Sequence, residues 1–247
     1  MGAGRHRIAL ISDIHGNLIA LREVLRSIEA RGADEVVFLG DIATLGVEPG
    51  EVIDTVQRLG CRCVRGNHDD YLLDAGLSDS HNEGPMLGEA IDWCRDQLPR
   101  EHVEFIRGFE DGFELPLGEI HRLKLFHGSP SSNTVDLLAE TSPDLFDAQL
   151  GPDRTTVMAG GHTHIQMLRQ HRGSWVVNPG SVGAAFREFA NGGAPVILHH
   201  AEYATVEAVG AEVSVALHRV GLDRHALAKA ALQSANPMSE ALAAPYL

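Results

Sequence analysis

Aspartate, asparagine and histidine recur beside glycine at intervals along this chain. The pieces are Ser12-Asp13-Ile14-His15-Gly16-Asn17, Gly40-Asp41, Gly66-Asn67-His68-Asp69, His127-Gly128, Gly161-His162-Thr163-His164 and Asn178-Pro179-Gly180-Ser181. A carboxylate and an imidazole two residues apart can meet one metal ion, and the adjacent glycine lets the chain turn away beneath it. The donors on offer are two carboxylates, one amide oxygen and several imidazoles, with no thiolate. That mix suits manganese, iron, zinc or nickel better than calcium or magnesium alone. There are too many donors for one ion with an open position. Two ions about 3.5–4 Å apart, sharing one carboxylate, would use them.

The elements needed to position these groups are legible around them. Ile8 to Ile11 is a short apolar run that reads as a buried strand. Leu18, Leu21, Leu25 and Ile28 follow at helical spacing, and Gly32 supplies a stop. Val36 to Leu39 reads as a second buried strand, and Pro49 opens a second helix that Gly60 closes. Cys61 to Val64 reads as a third strand. This β-α-β-α-β order predicts a parallel sheet covered by helices. In such sheets ligands bind at the carboxyl ends of the strands, where Asp13, Asp41 and Asn67 fall.

The alternation then stops. Residues 77–109 read as two helices separated by Pro99, either an inserted cap or packing helices on the sheet flank, and we take the cap. Asn82 within it is expected to cap a helix. A hairpin over residues 113–126 leads into His127, and a short helix is expected at 144–150. Strands at 155–159 and 175–177 end in the His162/His164 and Asn178 motifs. Residues 195–200, 204–209 and 213–220 read as a meander that makes the second half a second sheet. Asp223 caps a last helix, and the final ten residues look loosely held.

The 247 residues are 44% hydrophobic, enough for a full core, and the net charge is −14. That balance disfavours a general nucleic-acid or membrane-surface binder, which needs a basic face. A small phosphate ester remains open, since a local metal could neutralise its charge. The three cysteines, Cys61, Cys63 and Cys94, form no disulfide framework and read as reduced thiols. Without a signal-like segment or an apolar span, the cytoplasm is the default. Of the fourteen histidines, His6, His81, His102, His171 and His225 are expected at the surface. Arg65 and Arg187 are expected in salt bridges or at the surface, and His199 and His200 in packing or at the surface.

The ordered set D-x-H, G-D, G-N-H-D, H-G and G-H-T-H resembles the calcineurin-like metallophosphoesterases, and within them the compact bacterial and archaeal phosphodiesterase branch. The resemblance covers roughly residues 7 to 220. It implies a four-layer α/β/β/α sandwich with a dimetal site at the strand ends; together with the cap read from the broken alternation, inserted at about 77–112, the expectation is a single domain over 1–247. It implies that Asp13, His15 and His164 bind a first divalent ion, that Asn67, His127 and His162 bind a second, and that Asp41 bridges both. The ions would be manganese ahead of iron, zinc or nickel. His68 would stand beside the ions and face the substrate phosphate, protonating the leaving alkoxide or stabilising the phosphoryl charge. Asp69 and Asn178 are expected to hydrogen-bond the liganding rings and set their tautomers.

The family's protein serine/threonine phosphatases carry an aspartate three residues after the bridging one, as partner of the catalytic histidine. Here that position is Thr44. His68 is then left without a carboxylate to orient it, which points away from phosphoproteins and toward a small diester or nucleotide. The expected activity is a phosphodiesterase on a nucleotide-type substrate, dinucleoside polyphosphates included. A phosphomonoesterase or protein phosphatase is the alternative. A non-catalytic scaffold, which the family also contains, has no reason to keep every donor and His68. A homo-oligomer is left open.

Overall fold

The computed structural model describes residues 4–80, 85–190 and 193–247. Strand β1 (Arg5–Ile11) is the centre of the molecule, and Ile8, Ala9, Leu10 and Ile11 are all fully buried. Successive side chains of a strand point to opposite faces, so a run buried on every residue must be covered on both. Ala9 and Ile11 pack with Leu21 and Val24 of helix α1 (Leu18–Arg31) and Val52 and Val56 of helix α2 (Pro49–Leu59). Ile8 and Leu10 pack the other way, against a second sheet that supplies Leu123, Leu125, Val157 and Val177. A third cluster, Phe126, Met158 and Val176, lies beyond that sheet under Phe146 and Leu150 of helix α7 (Pro143–Leu150). Three apolar seams separate four layers, helix, sheet, sheet and helix, as the sequence leads one to expect.

In the first sheet β1 lies parallel to β2 (Glu35–Phe38), which lies parallel to β3 (Arg62–Cys63). Helices α1 and α2 are the crossovers, closing at Gly32 and Gly60 in left-handed conformation. Four helices then follow: α3 (Asn67–Leu73), α4 (Ala75–Ser80), α5 (Pro85–Asp96) and α6 (Arg100–Arg107). They begin at Asn67, well before residue 77. Leu72, Cys94, Ile106 and Phe109 pack into the same core as Phe38 and Val52. Asn82 and His81 lie outside the described residues. The second sheet has the order β4-β5-β6-β8-β7. Its strands are β4 (Phe113–Leu117), β5 (His121–Leu125), β6 (Val157–Ala159), β7 (Met167–His171) and β8 (Ser174–Asn178).

Three features of the fold depart from the sequence reading. The meander does not extend the second sheet: β9 (His200–Val209) pairs antiparallel with β1, and β10 (Glu212–Gly221) pairs with β9 at the edge of the first sheet. Ala201 to Val206 are buried without alternation, which a strand covered on both faces requires, whereas β10 is buried far less and suits an edge. Residues 195–199 contribute only an isolated bridge between Ile197 and Phe186 before β9 begins at His200. Strand β7, Met-Leu-Arg-Gln-His, was too polar to be read as one. It is an edge strand whose Arg169 guanidinium lies 4.0 Å over the Phe146 ring. Finally, the last residues are held. After helix α8 (Arg224–Gln233), the Asn236 amide donates to the carbonyls of Leu45 and Gly46 at 3.2 and 3.1 Å. Helix α9 (Ser239–Ala243) then buries Ala243 completely.

Among the described residues, no helix is long and apolar enough to cross a membrane.

Candidate metal centre

The polar motifs converge at the carboxyl ends of β1, β2, β5 and β6 and at the start of α3. Ligand atoms of Asp13, His15, Asp41 and His164 lie within 4.8 Å of one another, and so do those of Asp41, His127 and His162. Asp41 belongs to both groups. Asn67 Oδ1 lies 3.1 Å from His127 Nε2, which brings the seventh expected donor to the second group. Asn67 and His68 do not sit on an open strand end; they form the first turn of α3 and are buried.

The backbone beneath these residues is unusual. Seven non-glycine residues among those described have positive φ, and five of them are Asp13, His15, Asp41, His162 and His164. Such left-handed conformations are uncommon outside glycine, and Asp and His are among the types that tolerate them. Each loop is tied to the next through its main chain. Asp13 N–H donates to Gly40 O at 2.9 Å, His15 N–H to Asp41 O at 3.1 Å, and Gly183 N–H to Asp13 O at 2.9 Å. Ser181 Oγ also donates to Asp13 O at 2.8 Å. Gly66 passes so close to Asp41 that any Cβ there would overlap its carboxylate.

Ring orientation follows one rule in three of the four clustered histidines. Nδ1 of His15 is 3.2 Å from Thr44 O, Nδ1 of His127 is 2.6 Å from Leu39 O, and Nδ1 of His164 is 2.7 Å from Ala184 O. A carbonyl only accepts, so each Nδ1 carries the proton and each Nε2 keeps its lone pair in the neutral ring. The Nε2 atoms point inward: those of His15 and His164 are 3.0 Å apart, and that of His127 is 3.3 Å from Asp41 Oδ2. The Phe186 ring stacks on His164 with centroids 4.3 Å apart.

Asp69 and Asn178 do not perform the expected ring contacts. The buried Asp69 carboxylate accepts from the backbone N–H groups of Asp41, Ile42 and Gly66 at 3.0, 2.9 and 2.8 Å, so it shapes the loop that carries Asp41. Asn178 donates to Gly161 O and Thr163 Oγ1 at 2.6 and 3.0 Å, holding the strand end beneath His162. Backbone carbonyls do the work expected of these side chains.

His68 stands apart from both ligand groups. Its backbone N–H donates to Asp41 Oδ1 at 2.9 Å, while its ring packs edge-on against His15 and Tyr71 with centroids 5.1 and 5.0 Å away. Its Nδ1 is buried without a hydrogen-bond partner, so no carboxylate orients the ring through that nitrogen. Thr44 contacts His15 instead, with Oγ1 3.4 Å from Nδ1.

The electrostatics call for positive charge at this spot. Burial alone would raise the Asp41 carboxyl, but the His127 and His68 imidazoles beside it hold it well below the usual range. Asp13 is likewise lowered, burial being outweighed by His164 and His127. In return, although burial opposes it, Asp41 and Asp13 raise His127 to about 10. His68, dominated by burial, is pushed down to about 3. Asp13 Oδ1 is buried with no hydrogen-bond partner. Two buried carboxylates, inward Nε2 lone pairs and an unsatisfied carboxylate oxygen fit divalent cations, which replace proton-mediated pairing with coordination.

The remaining expected residues are placed as follows. Arg65 donates to the carbonyls of Arg107 and Phe109 at 3.0 and 2.7 Å and is structural. Arg187 is exposed beside Glu188. His199 bonds Pro245 O and His200 bonds Glu202. His102 and His171 are buried, contrary to expectation, because each pairs Nε2 with a carboxylate, Asp54 at 2.8 Å and Asp147 at 2.7 Å. Sequence reasoning missed Ser181, Phe186, Asp136 and the three carbonyl acceptors. Ser181 closes a motif already singled out for Asn178, so its signal was present; the carbonyls have none.

Comparison with known proteins bears on the fold and the family. A 30% identical, uncharacterized protein of Methanocaldococcus jannaschii aligns over 192 residues, 71% of this chain and 76% of that one. The fold matches a metallophosphoesterase from Sphaerobacter thermophilus with TM-score 0.71 and 23% identity, over 96% of this chain and 94% of that one. It also matches a hypothetical protein of Pyrococcus horikoshii OT3 with TM-score 0.75 and 20% identity, over 89% and 90%. The model of the calcineurin-like phosphoesterase superfamily domain matches residues 7–219, so the chain belongs to that superfamily.

Proposed function

We propose that the chain is a dinuclear metal-dependent phosphodiesterase acting on small, nucleotide-type phosphate esters, dinucleoside polyphosphates included. The observation that carries this reading is the membership of Asp41 in both ligand groups. Asp13, His15 and His164 would hold one divalent ion, Asn67, His127 and His162 would hold the other, and Asp41 would serve both. Bound there, the ions supply an acidified water near neutral pH and positive charge against phosphoryl oxygens. Manganese is the first choice, with iron, zinc or nickel as alternatives of the same ligand chemistry.

The protein's own residues do the rest. Carbonyl acceptors at Thr44, Leu39 and Ala184 fix the tautomers of three ligand rings, and Asp69 fixes the loop that aims Asp41. The buried His68 ring faces the substrate. It either gives a proton to the leaving oxygen or lends its dipole to the phosphoryl group. The free Cys61, Cys63 and Cys94 suit a reducing compartment, and we place the protein in the cytoplasm.

Thr44 favours this reading over a protein phosphatase, since its hydroxyl serves His15 and leaves His68 without a carboxylate. The test is a panel assay of Mn-loaded protein against diesters, monoesters, phosphopeptides and dinucleoside polyphosphates. Diesters and dinucleoside polyphosphates should be turned over with the highest kcat/KM. Preference for phosphopeptides would replace this reading with the phosphatase one. Inactivity on every class with both ions bound would favour a scaffold.

A further inference from the structure

One of the four clustered imidazoles is held differently from the rest. His15, His127 and His164 each set Nδ1 against a backbone carbonyl and turn Nε2 inward. His162 turns Nε2 toward Asp136, whose Oδ1 stands 3.4 Å away. Asp136 lies on the long connection between β5 and α7, outside every motif named above. It contributes no ligand atom to the cluster of Asp41, His127 and His162. The His162 side chain is also the most exposed of the four, at 17% against 6%, 0% and 10%.

We propose that Asp136 is the positioning residue of His162: it accepts the Nε2 proton and so leaves Nδ1 as the lone pair offered to the second divalent ion. The inference rests on the dinuclear reading. A metal-binding imidazole needs its other nitrogen tied to an acceptor, which fixes both tautomer and ring angle. The three buried rings find that acceptor in the main chain. His162, at the rim, finds it in a side chain. A small ring rotation brings 3.4 Å into the 2.7–3.2 Å range of an N–H···O bond. The carboxylate also makes the ring a stronger donor to a cation than a carbonyl would. The two ions therefore differ in how their imidazoles are secured: both rings of the first rest on backbone carbonyls, and one ring of the second rests on a half-exposed carboxylate.

The experiment is Mn2+ titration of the metal-free full chain by calorimetry, with elemental analysis, for the wild type, Asp136→Ala, Asp136→Asn, His162→Ala and the double variant Asp136→Ala/His162→Ala. Asp136→Ala should weaken the second ion by about 10–100-fold and leave the first unchanged. Asp136→Asn keeps an oxygen acceptor and should restore most of that loss. In the His162→Ala background Asp136→Ala should cost nothing further. Equal losses with and without His162 would overturn the proposal, because Asp136 would then act directly on the ion. So would an Asp136→Ala protein that binds two ions as the wild type does. A wild type that never takes a second ion would overturn the dinuclear reading, and this inference with it.

Discussion

The two ends of the first sheet are built on opposite principles. At the amino end of β1, Arg7 pairs with Glu207 at 2.6 Å and His6 with Glu35 at 2.9 Å, all partly exposed, on ordinary extended backbone. At the carboxyl end, Asp13 and Asp41 are buried, the backbone beneath them is left-handed, and neighbouring loops touch main chain to main chain. Charges at the first end are solvated and individually worth little. Charges at the second are desolvated, and each depends on a partner being in place. The same strand thus carries a tolerant end and an intolerant one, and perturbation should show it.

The largest effect is expected at Asp41. Asp41→Asn removes one of the two carboxylates and the only residue common to both ligand groups. Turnover by the Mn-loaded protein should fall by on the order of 10³-fold or more, as losses of charge-stabilising groups do. Elemental analysis should show fewer than two ions per chain. Two fully occupied ions in this variant would remove Asp41 from its shared role.

Next is His68, which belongs to the intolerant end without being a ligand. His68→Ala should keep both ions and lose about 10²–10⁴-fold on an alkyl or nucleoside diester. The loss on a nitrophenyl diester should be smaller, because that leaving group needs no proton. Equal losses on the two substrates would assign His68 to phosphoryl-charge stabilisation. A lost ion would show that the neighbouring Asn67 is not the ligand.

Gly66→Ala probes packing at the same end. The added Cβ collides with the Asp41 carboxylate, and relief requires a shift of the loop. Overpacking of this kind costs about 1–3 kcal/mol, measurable by denaturant titration, together with weaker Mn2+ binding. Unchanged stability and affinity would mean that the loops are less tightly coupled than their contacts imply.

The smallest effect is expected at the tolerant end. Glu207→Gln breaks the ion pair with Arg7, and stability should drop by no more than about 1 kcal/mol. Metal stoichiometry and kcat/KM should not move. A loss of metal here would contradict the division between the two ends.

How much of this was legible in the sequence follows the same division by locality. Ile8 to Ile11, the helical stripe from Leu18 to Ile28 and the stops at Gly32 and Gly60 are local signals, and the elements stand where those signals put them. The seven expected donors stood out because each occupies a short motif at an element boundary, and the structure brings them together. The placement of β9 and β10 was not, since pairing with β1 joins residues about two hundred positions apart. Continuous burial of Ala201 to Val206 was the clue, and the small alanines among them disguised it. His102 and His171 were misjudged because an imidazole with a carboxylate partner can be buried, and the partners Asp54 and Asp147 are distant in sequence. The carbonyls of Leu39, Thr44 and Ala184 were invisible because every residue has one.

The five left-handed residues carry a consequence for how this chain could drift. A left-handed L-residue is less stable than glycine there by roughly 1 kcal/mol. Five of them amount to a few kcal/mol out of a typical total near 5–15. At each of Asp13, His15, Asp41, His162 and His164, replacement by glycine would relieve the backbone while removing one of the proposed ligands. Stability alone therefore pushes this site toward decay, and a descendant with no use for metal would slide down that slope one residue at a time. This chain still has all five side chains at the top of it.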